Sequence, residues 1–324
     1  MQPLMNLSTQ ISDHSTAVRS MGDPLKPVTP APRVTIGVPV YNGEKYLPLC
    51  LDSLLAQTYH DMEILICDNA STDRTEQICR DYAARDSRIR YVRNPVNIGL
   101  GRNFRRVLDL ARGEYFKAAA ADDWCGPEFI DQCVAALDLE PSSVLAYPRT
   151  RIVDDAGNRV NDCEDSLGAS SGSPSERFIC LIQTIRLCNA LYGVTRTAVL
   201  RKTGWLAEYR TADSVLLTEL SLYGKFQEIP EFLFFRRFHE GDTSKMSGSG
   251  RMDEYLKPGG SKRIGMLCVV WHRLLDLMRS VLRAPLSFGQ RAKLFLWLLR
   301  FSFWQRKALA QEIRVALSVI WMRS

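Results

Sequence analysis

The sequence has no CxxC pair, although it carries nine cysteines. An odd number scattered along the chain excludes a disulfide scaffold, and without paired spacing there is neither a redox motif nor half a zinc site. Such usage fits a reducing, cytoplasmic compartment. No run reaches the ~18 uninterrupted apolar residues of a spanning helix. The longest candidates, 266–278 and 294–304, are broken by His272, Arg273, Asp276 and Arg300. Neither GxGxxG nor GxxxxGKS/T is present, so a dinucleotide fingerprint and a phosphate-cradling P-loop are both excluded. Residues 1–32 mix Ser, Thr, Asp and Pro with no long apolar core before a small-residue cleavage site, and they read as a mobile leader.

Acidic residues are scarce at one end. Residues 261–324 hold twelve Lys/Arg against Asp276 and Glu312, a surplus of ten; the net charge of +6 therefore leaves −4 on the preceding 260 residues. The basic charge belongs to the tail and points to an anionic surface.

From Arg33 to Ala121, short β-branched runs alternate with longer amphipathic stretches, the rhythm of βαβ units and a parallel sheet. Strands are expected at Val34–Val40, Glu63–Cys67, Ile89–Val92 and Tyr115–Ala121. Helices are expected around Tyr46–Leu55, over RTEQICRDYAARD after Asp73, and from Leu100 to Ala111. Beyond Asp123, GPEFIDQCVAALD reads as a helix, VLAYPRTRIV as a strand and DDAGNR as a hairpin turn. Residues 165–175 form a Ser/Gly loop, and helices with a final strand follow up to Phe238.

Polar residues gather where strands end, the edge at which open α/β sheets bind ligands. The first strand runs into VPVYNGEKYL. The second ends in ILICDNASTDRT, placing Asp68 at a strand tip, where a carboxylate either accepts from a base or ribose or satisfies loop amides. The fourth ends in AAAADD. Asp122 and Asp123 there require a divalent metal or other cation, unless they cap the next helix. Oxygen ligands favour Mg²⁺ or Mn²⁺ bridging substrate phosphates.

Taken in order, VTIGVPVYNGEKYL, ILICDNASTDRT, NPVNIGLGRNF, ARGEYFKAAAADD and YGKFQEIPEFLFFRRFH resemble glycosyltransferase family 2 over Arg33–Ser244. The resemblance implies an α/β, Rossmann-like GT-A fold: a mixed, mainly parallel sheet flanked by helices, here with a helical C-terminal extension at 261–324 after a linker at 245–260. It implies transfer of a sugar from a UDP-, GDP- or dTDP-sugar to a hydroxyl of a glycan or lipid-linked acceptor, with inversion and Mn²⁺ or Mg²⁺. Pro39, Tyr41, Asn42 and Glu44 are then placed at the nucleoside, Asp68 at the base, and Asn97 and Arg102 where the donor site is completed. Asp122 and His239 become the metal ligands and Asp213 the general base, with Glu219 as an alternative base or a surface acid. Arg236 and Arg237 either pair with a diphosphate or solvate the surface. The chain departs from the family's Asp-x-Asp motif: Ala120 stands at the leading position.

Two other classes fit parts of this pattern. A nucleotide-sugar or glycan binding protein would keep the pocket without the chemistry. A nucleotidyltransferase shares the core, but the Gly-rich basic loop it needs near the first strand is missing. In the tail, Leu294, Trp297, Leu298, Phe301 and Trp304 recur at helical spacing among Arg and Lys. That stripe lies either in an anionic membrane interface, at the inner face of the cell membrane, or against the catalytic domain or a second subunit. No nucleic-acid partner is expected, because its Phe and Trp are better used in packing or lipid contact.

Overall fold

A computed structural model describes residues 31–163, 167–205, 209, 211–239 and 268–321. The leader up to residue 30 and the linker at 245–260 lie outside the described residues. Strand β1 (Val34–Val40) is buried at all seven positions, as a central parallel strand covered on both faces requires. After α1 (Leu47–Leu55), β2 (Met62–Asp68) pairs parallel with β1. After α2 (Thr75–Arg85), β3 (Ile89–Arg93) pairs parallel with β2. Helix α3 (Leu100–Leu110) then carries the chain back across the sheet, and β4 (Tyr115–Ala118) joins β1 on its other side. The order β3-β2-β1-β4 thus reverses between β1 and β4, a topological switch point.

The expected fourth strand stops three residues early. The Asp123 N–H donates to the Ala120 carbonyl, turning the chain into β5 (Trp124–Cys125). The second half is α4 (Phe129–Leu139), β6 (Ser143–Val153), β7 (Arg159–Cys163), α5 (Pro174–Thr184), β8 (Val194–Arg196), α6 (Thr197–Leu200), α7 (Ala212–Tyr223) and β9 (Lys225–Arg237). Among the described residues the nine strands form one sheet, ordered β3-β2-β1-β4-β8-β6-β9-β5 with β7 on β6. The strands up to β4 are wholly parallel, and the remainder is mixed: β8 is antiparallel to both neighbours while β9 runs parallel to β6. Five cysteines, Cys50, Cys67, Cys79, Cys125 and Cys133, are buried thiols in this core.

The tail forms α8 (Val269–Arg283), α9 (Phe288–Trp304) and α10 (Arg306–Trp321). A capping box opens α9: the Ser287 hydroxyl accepts from the Gln290 N–H, and the Gln290 side chain accepts from the Ser287 N–H. Leu294 and Leu298 are fully buried in a cluster with Phe178 of α5, Val215 of α7 and Leu277 of α8. Packing on the domain therefore accounts for these two members of the expected stripe. Polar contacts reinforce the seam, with Arg283 Nε donating to Glu219 Oε1 at 2.8 Å and the Tyr209 hydroxyl to Asp276 at 3.0 Å. Glu219 is consequently not a surface acid. It is 2% exposed and also accepts the Gly204 N–H.

Candidate active site

Over the carboxyl ends of β1 and β4 lies a cleft of about 830 Å³. Pro39, Tyr41 and Asn42 line it from β1, Asp122 and Asp123 from the turn after β4, and Arg236 to His239 from the end of β9. Asp154 and Asp155, in the β6–β7 turn, close the rim.

The wall that carries Tyr41 and Asn42 is built by sewing two loops together. Asn42 adopts φ 51°, a left-handed conformation that asparagine tolerates. Its N–H donates to Ser71 Oγ at 2.9 Å, that of Gly43 to Thr75 Oγ1 at 2.8 Å and that of Glu44 to Asp73 at 3.1 Å. Asn42 Oδ1 in return accepts the Thr72 N–H at 2.8 Å. Burial alone would raise the Asp73 carboxyl, but donation from Thr75 and the Glu44 N–H outweighs it and holds the group below its usual range. The small polar residues of NASTDRT thus fix the loop that carries Tyr41 and Asn42.

Asp68, expected at the base, is 0% exposed and does not line the cleft. The reason is local: Oδ1 accepts the Ser71 N–H at 2.8 Å and Oδ2 the Tyr91 hydroxyl at 2.9 Å. Asn97, expected to complete the donor site, holds its own loop by accepting from Asn69 and the Gly99 N–H. It belongs to an amide network in which Asn94 donates to Asn69 and Asn103, and Asn103 to the Cys67 carbonyl. Glu44 accepts from Arg74 outside the cleft, and Arg102 is exposed on α3.

At the centre, Asp122 Oδ2 and His239 Nε2 stand 3.0 Å apart. The Tyr46 ring, 4.9 Å from the imidazole between centroids, backs His239. Asp123 is 5% exposed, and its Oδ1 accepts the Arg237 N–H at 2.8 Å. Burial first, and then the charge of Asp122, push its carboxyl well above the usual range. Arg237 is itself buried, its guanidinium 4.7 Å from the Tyr46 ring and 4.9 Å from that of Trp124. It donates to the Asp122 carbonyl at 3.1 Å, so it fixes the acidic turn instead of solvating the surface. Arg236 reaches Asn189 at 2.7 Å.

Two contributors, Lys117 and Asp155, lay outside the sequence reading. Lys117 is fully buried in β4, 4.6 Å from the Phe129 ring, and its charge opposes the rise of Asp123. Its signal was a lone cation inside the apolar YFKAAAA. Asp155 accepts from Lys45 and the Tyr46 hydroxyl, which hold its carboxyl below the usual range. Asp213 opens α7 behind Thr211 (φ 72°), and its Oδ1 accepts the Ser214 N–H. It does not line the cleft, but its charge acts on Tyr192, which does.

A carboxylate and an imidazole this close suit a Mn²⁺-like cation of mixed oxygen and nitrogen ligation. Among the described residues no group of three or more His, Cys, Asp or Glu is placed to hold an ion. Two protein donors would leave its other positions to substrate oxygens and water.

The strands from β1 to β8, which carry most of this cleft, have a recognisable sequence. Residues 35–200 match the family described as Glycosyl transferase family 2. The chain belongs to glycosyltransferase family 2. Among its relatives, Escherichia coli chondroitin synthase is 28% identical over 216 residues, 66% of this chain and 30% of that protein. The Streptococcus pneumoniae glycosyltransferase GlyA is 36% identical over 99 residues, 31% of this chain and 14% of that one. The chain spans less than a third of the length of either. In structure it is similar to S. aureus TarS 1–349 in complex with UDP-GlcNAc, with a TM-score of 0.61 and 20% identity over 84% of this chain and 72% of that one. The fold is therefore of the GT-A kind, as the ordered motifs implied.

Proposed function

We propose that this family 2 protein transfers a sugar from a nucleotide-sugar donor to a hydroxyl of a glycan or a lipid-linked saccharide, with inversion at the anomeric carbon. The observation that carries the reading is the Asp122–His239 pair at 3.0 Å in a cleft over the switch point. Pro39, Tyr41 and Asn42 form the nucleoside wall, and the UDP-GlcNAc bound by TarS favours a uridine donor. Glu44, Asp68 and Asn97 act behind that wall as residues that hold its loops, and Arg102 lies exposed on the neighbouring helix α3. A lipid-linked acceptor would be met at the inner face of the cell membrane, for which the basic tail is suited.

Asp122 and His239 are the side chains that would hold Mn²⁺ or Mg²⁺, and the bound ion supplies positive charge to the departing diphosphate. This chain's own residues do the rest. The acceptor oxygen bonds to the anomeric carbon and gives up its proton to a carboxylate base, for which Asp213 is the candidate although it opens α7 outside the cleft lining, while the bond to the diphosphate breaks with its electron pair. Arg236 faces the same cleft and offers a cation to the leaving group. Arg237 and Asp123 keep the acidic turn in place.

The test is donor hydrolysis and nucleotide binding by the purified chain with Mn²⁺ and a panel of UDP-, GDP- and dTDP-sugars. Metal-dependent turnover of one donor, lost together with metal-dependent nucleotide binding in Asp122→Asn, is the expected result. Ala120 at the leading motif position favours one second reading, a binding protein without turnover. Tight, metal-independent nucleotide binding with no hydrolysis would select it.

A further inference from the structure

Helix α9 is apolar on two faces. Its inward face holds Leu294 and Leu298 in the cluster with α5, α7 and α8. Its outward face presents Phe288 at 89%, Leu296 at 68%, Leu299 at 58% and Phe303 at 62% exposure. At 100° per residue these four fall within about 80° of arc. Beside them on the wheel stand Lys293 and Arg300, both exposed, and then Trp304. Arg300 lies 5.2 Å from the Trp304 ring, and Arg306 4.3 Å from that of Phe303. The seventeen residues of α9 include no acid. The two acids of the tail are engaged elsewhere: Asp276 binds Arg279 and Tyr209, and Glu312 accepts the N–H groups that open α8.

We propose that this outward face of α9 seats the protein on an anionic lipid bilayer. Apolar side chains bordered by cations, with no acid between, match the boundary where acyl chains meet anionic headgroups. A two-fold contact with a second copy would instead set Lys293 and Arg300 against their own equivalents, a like-charge juxtaposition. Inward docking through Leu294 and Leu298 leaves the outward face free and fixes its direction. The inference extends the lipid-linked acceptor reading for the kind of surface, but it rests on α9 alone for the contact.

The experiment is co-sedimentation of the full chain with phosphatidylcholine vesicles, with and without phosphatidylglycerol. Pelleting is expected only with the anionic vesicles, and to fade as salt is raised. Lys293→Gln with Arg300→Gln should weaken it about thirtyfold, from the loss of two headgroup-facing cations. Leu296→Asp with Phe303→Asp should abolish it, while both pairs keep the wild-type thermal melt because the altered side chains face solvent. Absence of pelleting on anionic vesicles overturns the proposal, as does equal pelleting of wild type and variants. Sedimentation velocity showing a dimer that Leu296→Asp with Phe303→Asp disperses would also overturn it, giving the face to a second copy. Donor hydrolysis is assayed separately without vesicles, so failed chemistry with intact pelleting would count against the transfer reading alone.

Discussion

A carboxylate whose two oxygens already accept hydrogen bonds inside the protein is part of the scaffold, and Asp68 is in that position. Asparagine there presents one acceptor oxygen and an NH₂ to two donors, Ser71 N–H and Tyr91 O–H. Asp68→Asn should therefore cost about 1–3 kcal/mol of stability, read as a lowered urea midpoint. An unchanged midpoint with weakened nucleotide affinity would show that the carboxylate meets the donor directly. Asp213→Asn should do the reverse: donor affinity stays, and turnover falls by ~10²–10⁴-fold if the carboxylate is the base. Turnover within a factor of about three would move the base elsewhere. Glu219 would not be next in line, since its oxygens face Gly204 and Arg283. Residue by residue, the sequence showed which side chains were chemically capable but not what they meet. Asp122 and His239 are 117 positions apart, a separation that local spacing cannot bridge, and only the succession of family motifs placed them together. Lys117, Tyr46 and Trp124 passed unnoticed because each looks like an ordinary strand or helix residue until the sheet is assembled, whereas Arg237 was weighed as a diphosphate partner and is found between the two rings.

Among elements, those with a clear period were legible and those too short to have one were not. The runs VTIGVPV and MEILICD are largely apolar and rich in β-branched residues, and read as strands. Strand β8 is three residues long and β5 two, so neither offers an alternation, although β8 joins the two halves of the sheet. Helix α9 failed differently: with apolar residues on two faces, periodicity identifies a helix but not the side that docks. Its partner seam carries a pH prediction. Burial raises the Glu219 carboxyl above its ordinary range, more than the Gly204 N–H and Arg283 lower it. The folded chain therefore holds that proton more tightly than the unfolded chain does. Its contribution to stability is full below the ordinary glutamate range and is lost as pH rises through the raised folded value. In melts from about pH 4 to about pH 7, Glu219→Gln should gain on the wild type as pH increases. A variant that loses ground with rising pH would mean that the pairing with Arg283 outweighs the burial.

At the scale of the whole molecule, charge is divided unevenly, −4 before residue 261 and +10 after it, and the cleft lies in the acidic part. Among the described residues the tail is joined to that part by leucines and buried polar contacts, so α8 and α9 pack as one body with α5 and α7. The five core thiols follow the same body from the inside. Cys67 and Cys79 are pushed up to about 12 by burial, and Cys50, Cys125 and Cys133 are raised by the same cause. In the native state they offer an alkylating reagent neither thiolate nor access. Each can react only when its surroundings open, so the labelling rate of each is a clock for that opening. The clocks are already distributed: Cys67 on β2, Cys50 and Cys79 on the helices beside it, and Cys125 and Cys133 after the acidic turn. Mass spectrometry of timed alkylation would show whether these regions breathe together or in sequence, without a single engineered probe.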